Sequence, residues 1–159
     1  MNRNPSRGFT LVEMLIVIAI LGIVLGIAAP NLSRYRHNVN LREAARDISA
    51  EMNLCRQRAI TENSRYRISF DFHGRTYTVS RLPDGAAAWQ DLSTGSLGGG
   101  NALISFSSTT FSGSPPASTF LPRGTAVAGG ALVIEHSKSP RRATITLNIT
   151  GRVRVDYSG

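Results

Sequence analysis

The stretch Arg7-Gly8-Phe9-Thr10-Leu11-Val12-Glu13-Met14-Leu15-Ile16-Val17-Ile18-Ala19-Ile20 places one carboxylate, Glu13, inside an otherwise apolar run. Residues 14–29 carry no charged or hydrogen-bonding side chain. At about 1.5 Å per residue, a helix over residues 9–29 spans roughly 30 Å, the thickness of a bilayer's hydrocarbon core. Arg3 and Arg7 precede it, and positive charge before an apolar helix keeps that end cytoplasmic. The expectation is a helix of membrane-spanning length. Glu13 is then the residue to explain, because a carboxylate at the centre of a membrane helix costs about 2.5–3.5 kcal/mol.

Three readings of this segment compete. A secretory signal would be cut after the apolar block, but the block ends Ile27-Ala28-Ala29-Pro30, and proline directly after a small-residue site is a poor cleavage context. A plain anchor leaves Glu13 without a role. Cleavage between Gly8 and Phe9 keeps the helix and leaves a new amino terminus on Phe9, four residues before Glu13. On that reading two accounts of the carboxylate stay open. It can sit in the field of its own helix N-terminus, or pair with the Phe9 ammonium of a neighbouring subunit.

Working outward, Gly22, Gly26 and Pro30 are spaced by four. Small residues at that spacing allow close helix approach, and the same residues weaken the helix locally. After Leu32, Tyr35 and Val39, the positions Leu41, Ala45, Ile48, Met52, Cys55 and Ala59 form an amphipathic stripe. The helix is expected over residues 9–61, a rod of roughly 80 Å, with Glu62-Asn63-Ser64 as its break. Cys55 lies on the stripe and reads as a buried structural thiol. As the one cysteine of the chain, it forms no intramolecular disulfide.

From residue 65 the hydrophobic period becomes two. Tyr66, Ile68, Phe70 and Phe72 alternate with polar residues, His73-Gly74 marks a turn, and Tyr77 and Val79 continue on one face, which predicts a hairpin. Residues 83–101 read as a loop, Ala102–Ser108 as a strand, and residues 112–119 as a break around Pro115-Pro116. Leu132–His136, Ala143–Ile149 and Arg152–Tyr157 read as further strands. The layout is α+β: a long N-terminal helix, first half transmembrane and second half amphipathic, packed on a C-terminal antiparallel β domain. The expected divisions are a short basic segment over residues 1–8, a transmembrane helix over 9–29, its amphipathic continuation over 30–62, and a β-rich domain over 63–159.

No catalytic constellation assembles from the motifs. His37, His73 and His136 fall in different elements, there is no phosphate-binding glycine loop after a strand, and no Cys/His cluster has metal-ligand spacing. The expectation is a protein that is not an enzyme and needs neither metal nor cofactor. The formal net charge of +8 suits an anionic partner and suits plain solubility equally. Its most pointed expression is Gly151-Arg152-Val153-Arg154. In a strand, Arg152 and Arg154 share a face about 7 Å apart, near the phosphate spacing of a nucleic-acid strand. Lys138, Arg141 and Arg142 lie upstream as further members of the patch. The plainer reading is a solvated strand face whose charge guards a sheet edge.

The segment Gly8-Phe9-Thr10-Leu11-Val12-Glu13 followed by an apolar run resembles the class III leader of type IV pilins and type II secretion pseudopilins. The resemblance implies a prepilin peptidase that cuts after Gly8 and methylates Phe9, and a Glu13 that aids docking into a growing filament. A leader, a long helix and a β domain ending in Gly-Arg-Val-Arg resemble the GspH/FimT branch of that superfamily. This implies a minor pilin or pseudopilin that assembles or primes a type IV pilus or a type II secretion pseudopilus. Its implied partners are other pilin or pseudopilin subunits, the prepilin peptidase and exported proteins. The implied location is the bacterial inner membrane, single-pass, with the C-terminal domain in the periplasm before incorporation in a filament. FimT-like members carry a Gly-Arg-x-Arg motif implicated in DNA capture during natural transformation, so the alternative implied by Arg152 and Arg154 is a DNA-binding minor pilin.

Overall fold

The computed structural model describes residues 9–159, with the side chains of residues 27–34 outside the description. Gly8 and the expected leader over residues 1–8 therefore lie outside the described residues. The chain divides into two units, Met1–Arg36 and His37–Gly159, and each is described by itself.

Helix α1 covers Leu11–Thr61, close to the expected span. Thr10 starts it: the Glu13 N–H donates to Thr10 Oγ1 at 3.2 Å, and the Met14 N–H donates to the Thr10 carbonyl at 3.2 Å. Thr10 is thus the N-cap and Glu13 the third helical residue, the spacing of a capping box. The helix stops where expected. Asn63 takes a left-handed φ of 46° and the Ser64 N–H donates to the Ala59 carbonyl at 3.3 Å, the bond of a Schellman termination with asparagine just past the cap.

In the first unit, the described large apolar side chains of α1 lie open. Leu11, Val12, Met14, Leu15, Ile16, Ile18, Ile20, Leu21, Ile23, Val24 and Leu25 are all exposed. Among the described residues, no helix is long and apolar enough to cross a membrane; the apolar run of the sequence continues to residue 29, past Gly26, the last position of this segment whose side chain is described.

In the second unit the stripe of α1 is buried as its spacing predicts. Leu41, Ala45, Ile48, Met52, Cys55 and Ala59 are all buried, with Ala44 beside them. Tyr35, in the first unit, and Val39, in the second, are exposed, so the buried stripe begins at Leu41. The Cys55 thiol is free and buried. Burial, with Glu51 adding to it, pushes its pKa up to about 12, so it stays a neutral core group.

Eight strands follow: β1 Arg65–Asp71, β2 Thr76–Leu82, β3 Gln90–Ser96, β4 Ile104–Thr109, β5 Ala117–Phe120, β6 Gly130–His136, β7 Arg142–Leu147 and β8 Val153–Ser158. They form two antiparallel sheets, ordered β3-β2-β1-β5 and β4-β6-β7-β8. The inner faces of both contribute to one core, with Tyr66, Ile68, Phe70, Val79 and Phe120 from the first and Phe106, Leu132, Ile134, Ile145 and Leu147 from the second. Strands with strict alternation were legible from sequence. Two were not. Residues 83–101 hold β3, and residues 112–119 run into β5. β3 reads Gln-Asp-Leu-Ser-Thr-Gly-Ser and is exposed along most of its length. It is an edge strand held by its backbone bonds to β2, so it needs no apolar face to mark it.

Candidate functional site

Glu13 occupies the third position of α1, where unpaired N–H groups and the helix dipole favour an anion. This placement supports the local account of the carboxylate. Phe9 stands just before the cap and is 76% exposed. Together they form an uncovered helix start followed by an uncovered apolar surface.

The Gly-Arg-Val-Arg segment is built by a tight hairpin. The Gly151 N–H donates to the Asn148 carbonyl at 2.8 Å, and the Asn148 N–H donates to the Arg152 carbonyl at 3.0 Å. Gly151 closes the turn with φ 78° and is buried. A Cβ there would collide with the Gly124 carbonyl oxygen and stand 3.0 Å from Arg56 Nε. That same carbonyl accepts a 2.8 Å hydrogen bond from Arg56 Nε. The glycine of the motif is therefore required where helix, loop and hairpin meet. At its other end β8 is held by Arg42, whose guanidinium lies 5.4 Å from the Tyr157 ring centroid.

Arg152 lies just before β8, not within it, and is exposed. Arg154 is in β8, exposed, with Val153 and Val155 half-buried against the core. The expected alternation holds, but the expected basic patch does not form as one surface. Arg154 is engaged by its own strand: Nη2 is 2.8 Å and Nε 2.9 Å from Asp156 Oδ1. Arg142 pairs with Glu135 at 3.7 Å. The register sets Arg142 opposite Ser158 and Arg154 opposite Thr146, so four residues of β7, roughly 13 Å, separate them, with Asp156 between. Lys138 and Arg141 sit in the β6–β7 connection at the Arg142 end. The upstream cluster and the Gly-Arg-Val-Arg cluster occupy opposite ends of the β7–β8 pair. Sequence proximity suggested a single patch because it ignores the antiparallel return of the chain.

Sequence reasoning also set the three histidines apart, yet His37 and His136 meet, with ring centroids 4.5 Å apart. His136 is buried, and its Nδ1 accepts the Lys138 N–H at 3.1 Å. Burial lowers its pKa, and His37 and Lys138 lower it further. Among the described residues, no group of three or more His, Cys, Asp or Glu side chains could hold a metal ion.

With this geometry in place, likeness to known proteins becomes informative. The model of the prokaryotic N-terminal methylation motif matches residues 3–29. The model described as type II transport protein GspH matches residues 44–151, which include most of the buried helix stripe, β1 to β7 and Gly151 but stop before Arg152 and β8. The chain belongs to the GspH family. Two solved structures share the fold. The minor pseudopilin EpsH from the type 2 secretion system of Vibrio cholerae superposes with a TM-score of 0.62 at 15% identity, covering 74% of this chain and 96% of that one. The type IV minor pilin FimU of Pseudomonas aeruginosa gives 0.59 at 19% identity, covering 77% and 92%. The pilin-like protein PilA1 of Thermus thermophilus is 43% identical over 58 residues, 36% of either chain. The match thus spans about a third of that relative's length. The fold shared with these structures is a long helix packed on antiparallel β sheets.

Proposed function

We propose that this GspH-family chain is a minor pilin or pseudopilin subunit that assembles or primes a filament of the type II secretion or type IV pilus kind. The carrying observation is the first unit. A capped helix bears apolar side chains on every described face from Leu11 to Leu25, and the large ones are all exposed. Such a surface is stable in lipid before assembly and against neighbouring helices after it. In this reading the precursor sits in the inner membrane as a single-pass protein, a prepilin peptidase cuts after Gly8 and methylates Phe9, and Glu13 docks against a neighbouring subunit's amino terminus. The domain from residue 63 onward stands in the periplasm.

The test is Glu13→Ala in a filament-forming host. The N-terminus, read by mass spectrometry, is expected at methylated Phe9 in parent and mutant alike, while recovery of the mutant in sheared filaments falls. Equal recovery removes the docking role of Glu13. A parent N-terminus other than Phe9 removes the processing scheme.

A second reading, DNA binding by the Gly151–Arg154 segment, is favoured by Arg152. It is exposed and makes no ion pair among the described residues. The Asp156 partner of Arg154 opposes it, since a phosphate would have to displace that carboxylate.

A further inference from the structure

We propose that the outer surface of the β3-β2-β1-β5 sheet carries a binding site for a carboxylate, organised by Arg67 and Trp89. A pocket of about 420 Å³ opens there, lined in part by Arg67, Ser69, Trp89, Ser112, Ser114 and Thr119. The register explains the convergence. Arg67 faces Ser80 on one side and Thr119 on the other, and Ser69 follows two residues along the same strand, so their side chains share the face turned away from the core.

Arg67 is held unusually for a surface arginine. Its guanidinium carbon lies 4.4 Å from the centroid of the Trp89 ring, which fixes the plane of the fork while leaving its edge available. Its Nε is buried and has no hydrogen-bond partner. Ser80, its cross-strand partner, is fully buried. The site is therefore recessed, and a cation there is shielded from full hydration.

Arg67 makes no ion pair among the described residues. Asp91 accepts the Ser80 hydroxyl at 2.7 Å, and Asp71 accepts the His73 N–H at 3.0 Å. Among the described residues lining the pocket, Arg67 is the sole ionisable side chain. One planar cation, one aromatic face and several hydroxyls suit a planar, singly charged carboxylate on a small apolar body. A phosphate dianion would keep an unbalanced charge in the same recess. The carboxylate can come from an acidic side chain or from a chain end of another protein.

Trp89 is the only tryptophan of the chain, so its fluorescence reports on this pocket alone. The full chain in non-ionic detergent is titrated at constant ionic strength with N-acetylglutamic acid α-amide, N-acetylglycinate and inorganic phosphate, and with N-acetylglycinamide as the uncharged control. Expected is a saturable change with one or both carboxylates, weaker with phosphate and absent with the amide. The stronger carboxylate identifies side chain or chain end as the source. Arg67→Gln should weaken the response about tenfold or more, and Arg67→Lys should retain part of it. A saturable response to phosphate equal to or stronger than that to carboxylate overturns the proposal. So does a response unchanged in Arg67→Gln, or no saturable response in a parent with a native emission spectrum.

Discussion

One helix carries two opposite solutions for apolar side chains. Between Leu11 and Leu25 every large apolar residue is exposed, whereas between Leu41 and Ala59 the apolar stripe is buried to within about one per cent. The difference lies in what surrounds them rather than in the residues. In the second unit, α1 meets the inner faces of two sheets and completes a core. In the first, the large apolar side chains of the described residues stay exposed. The second unit buries its apolar stripe within itself; in the proposed reading, lipid and neighbouring helices cover the first. Apolar area left open on this scale is a contact surface, since monomeric soluble proteins rarely expose so much of it contiguously.

Paired substitutions break this comparison most directly. Ile48→Ala should cost about 2–5 kcal/mol through lost burial and a residual cavity. Ile18→Ala should leave unfolding of the β domain within about 0.5 kcal/mol of the parent. Urea unfolding in non-ionic detergent, followed by circular dichroism, checks both. Equal losses would mean that the first unit contributes to the stability of the second.

A smaller effect sharpens the role of the Gly-Arg-Val-Arg segment. Gly151→Ala puts a Cβ against the Gly124 carbonyl and forces a left-handed φ on a side chain, at a cost of about 1–3 kcal/mol. Arg152→Ala, at an exposed turn position, should stay within about 0.5 kcal/mol. If both change stability equally, the structural reading of the glycine fails. With the expected difference, loss of an activity on replacing Gly151 alone reports packing, whereas loss on replacing Arg152 reports contact.

The smallest effect is a pH dependence within the second unit. The His136 pKa is held below 6.5 in the folded state by burial and by the facing His37 and Lys138, so below that pH the unfolded chain binds more protons. Stability is then complete above about pH 6.5 and falls as pH drops through the lowered value. Unfolding of the parent near pH 7 and pH 5 should show the loss, and His136→Asn should reduce the difference. A difference unchanged by that substitution would assign the pH dependence to other groups.

How much of this was readable in advance depended on local periodicity. The 4-3-4-3-4 spacing from Leu41, the break at Glu62-Asn63-Ser64 and the alternation in β1, β6, β7 and β8 are local signals, and all reappear in the fold. β3 escaped because an exposed edge strand has no inward face to imprint on its sequence. β5 escaped because its four residues follow Pro115-Pro116 directly. Thr10 was within the opening motif, three residues before Glu13, and the cap spacing alone could have revealed it.

The long helix, its change from wholly apolar to amphipathic, the α+β layout and the opening motif each follow from side-chain spacing along one chain segment. Folding fixed what lies opposite what. It set Asp156 between the two basic clusters, brought His37 against His136, seated Gly151 on Gly124 and laid Arg67 over Trp89. These are contacts between residues distant in sequence or on adjacent strands, and strand order and register fix them, which no single segment encodes.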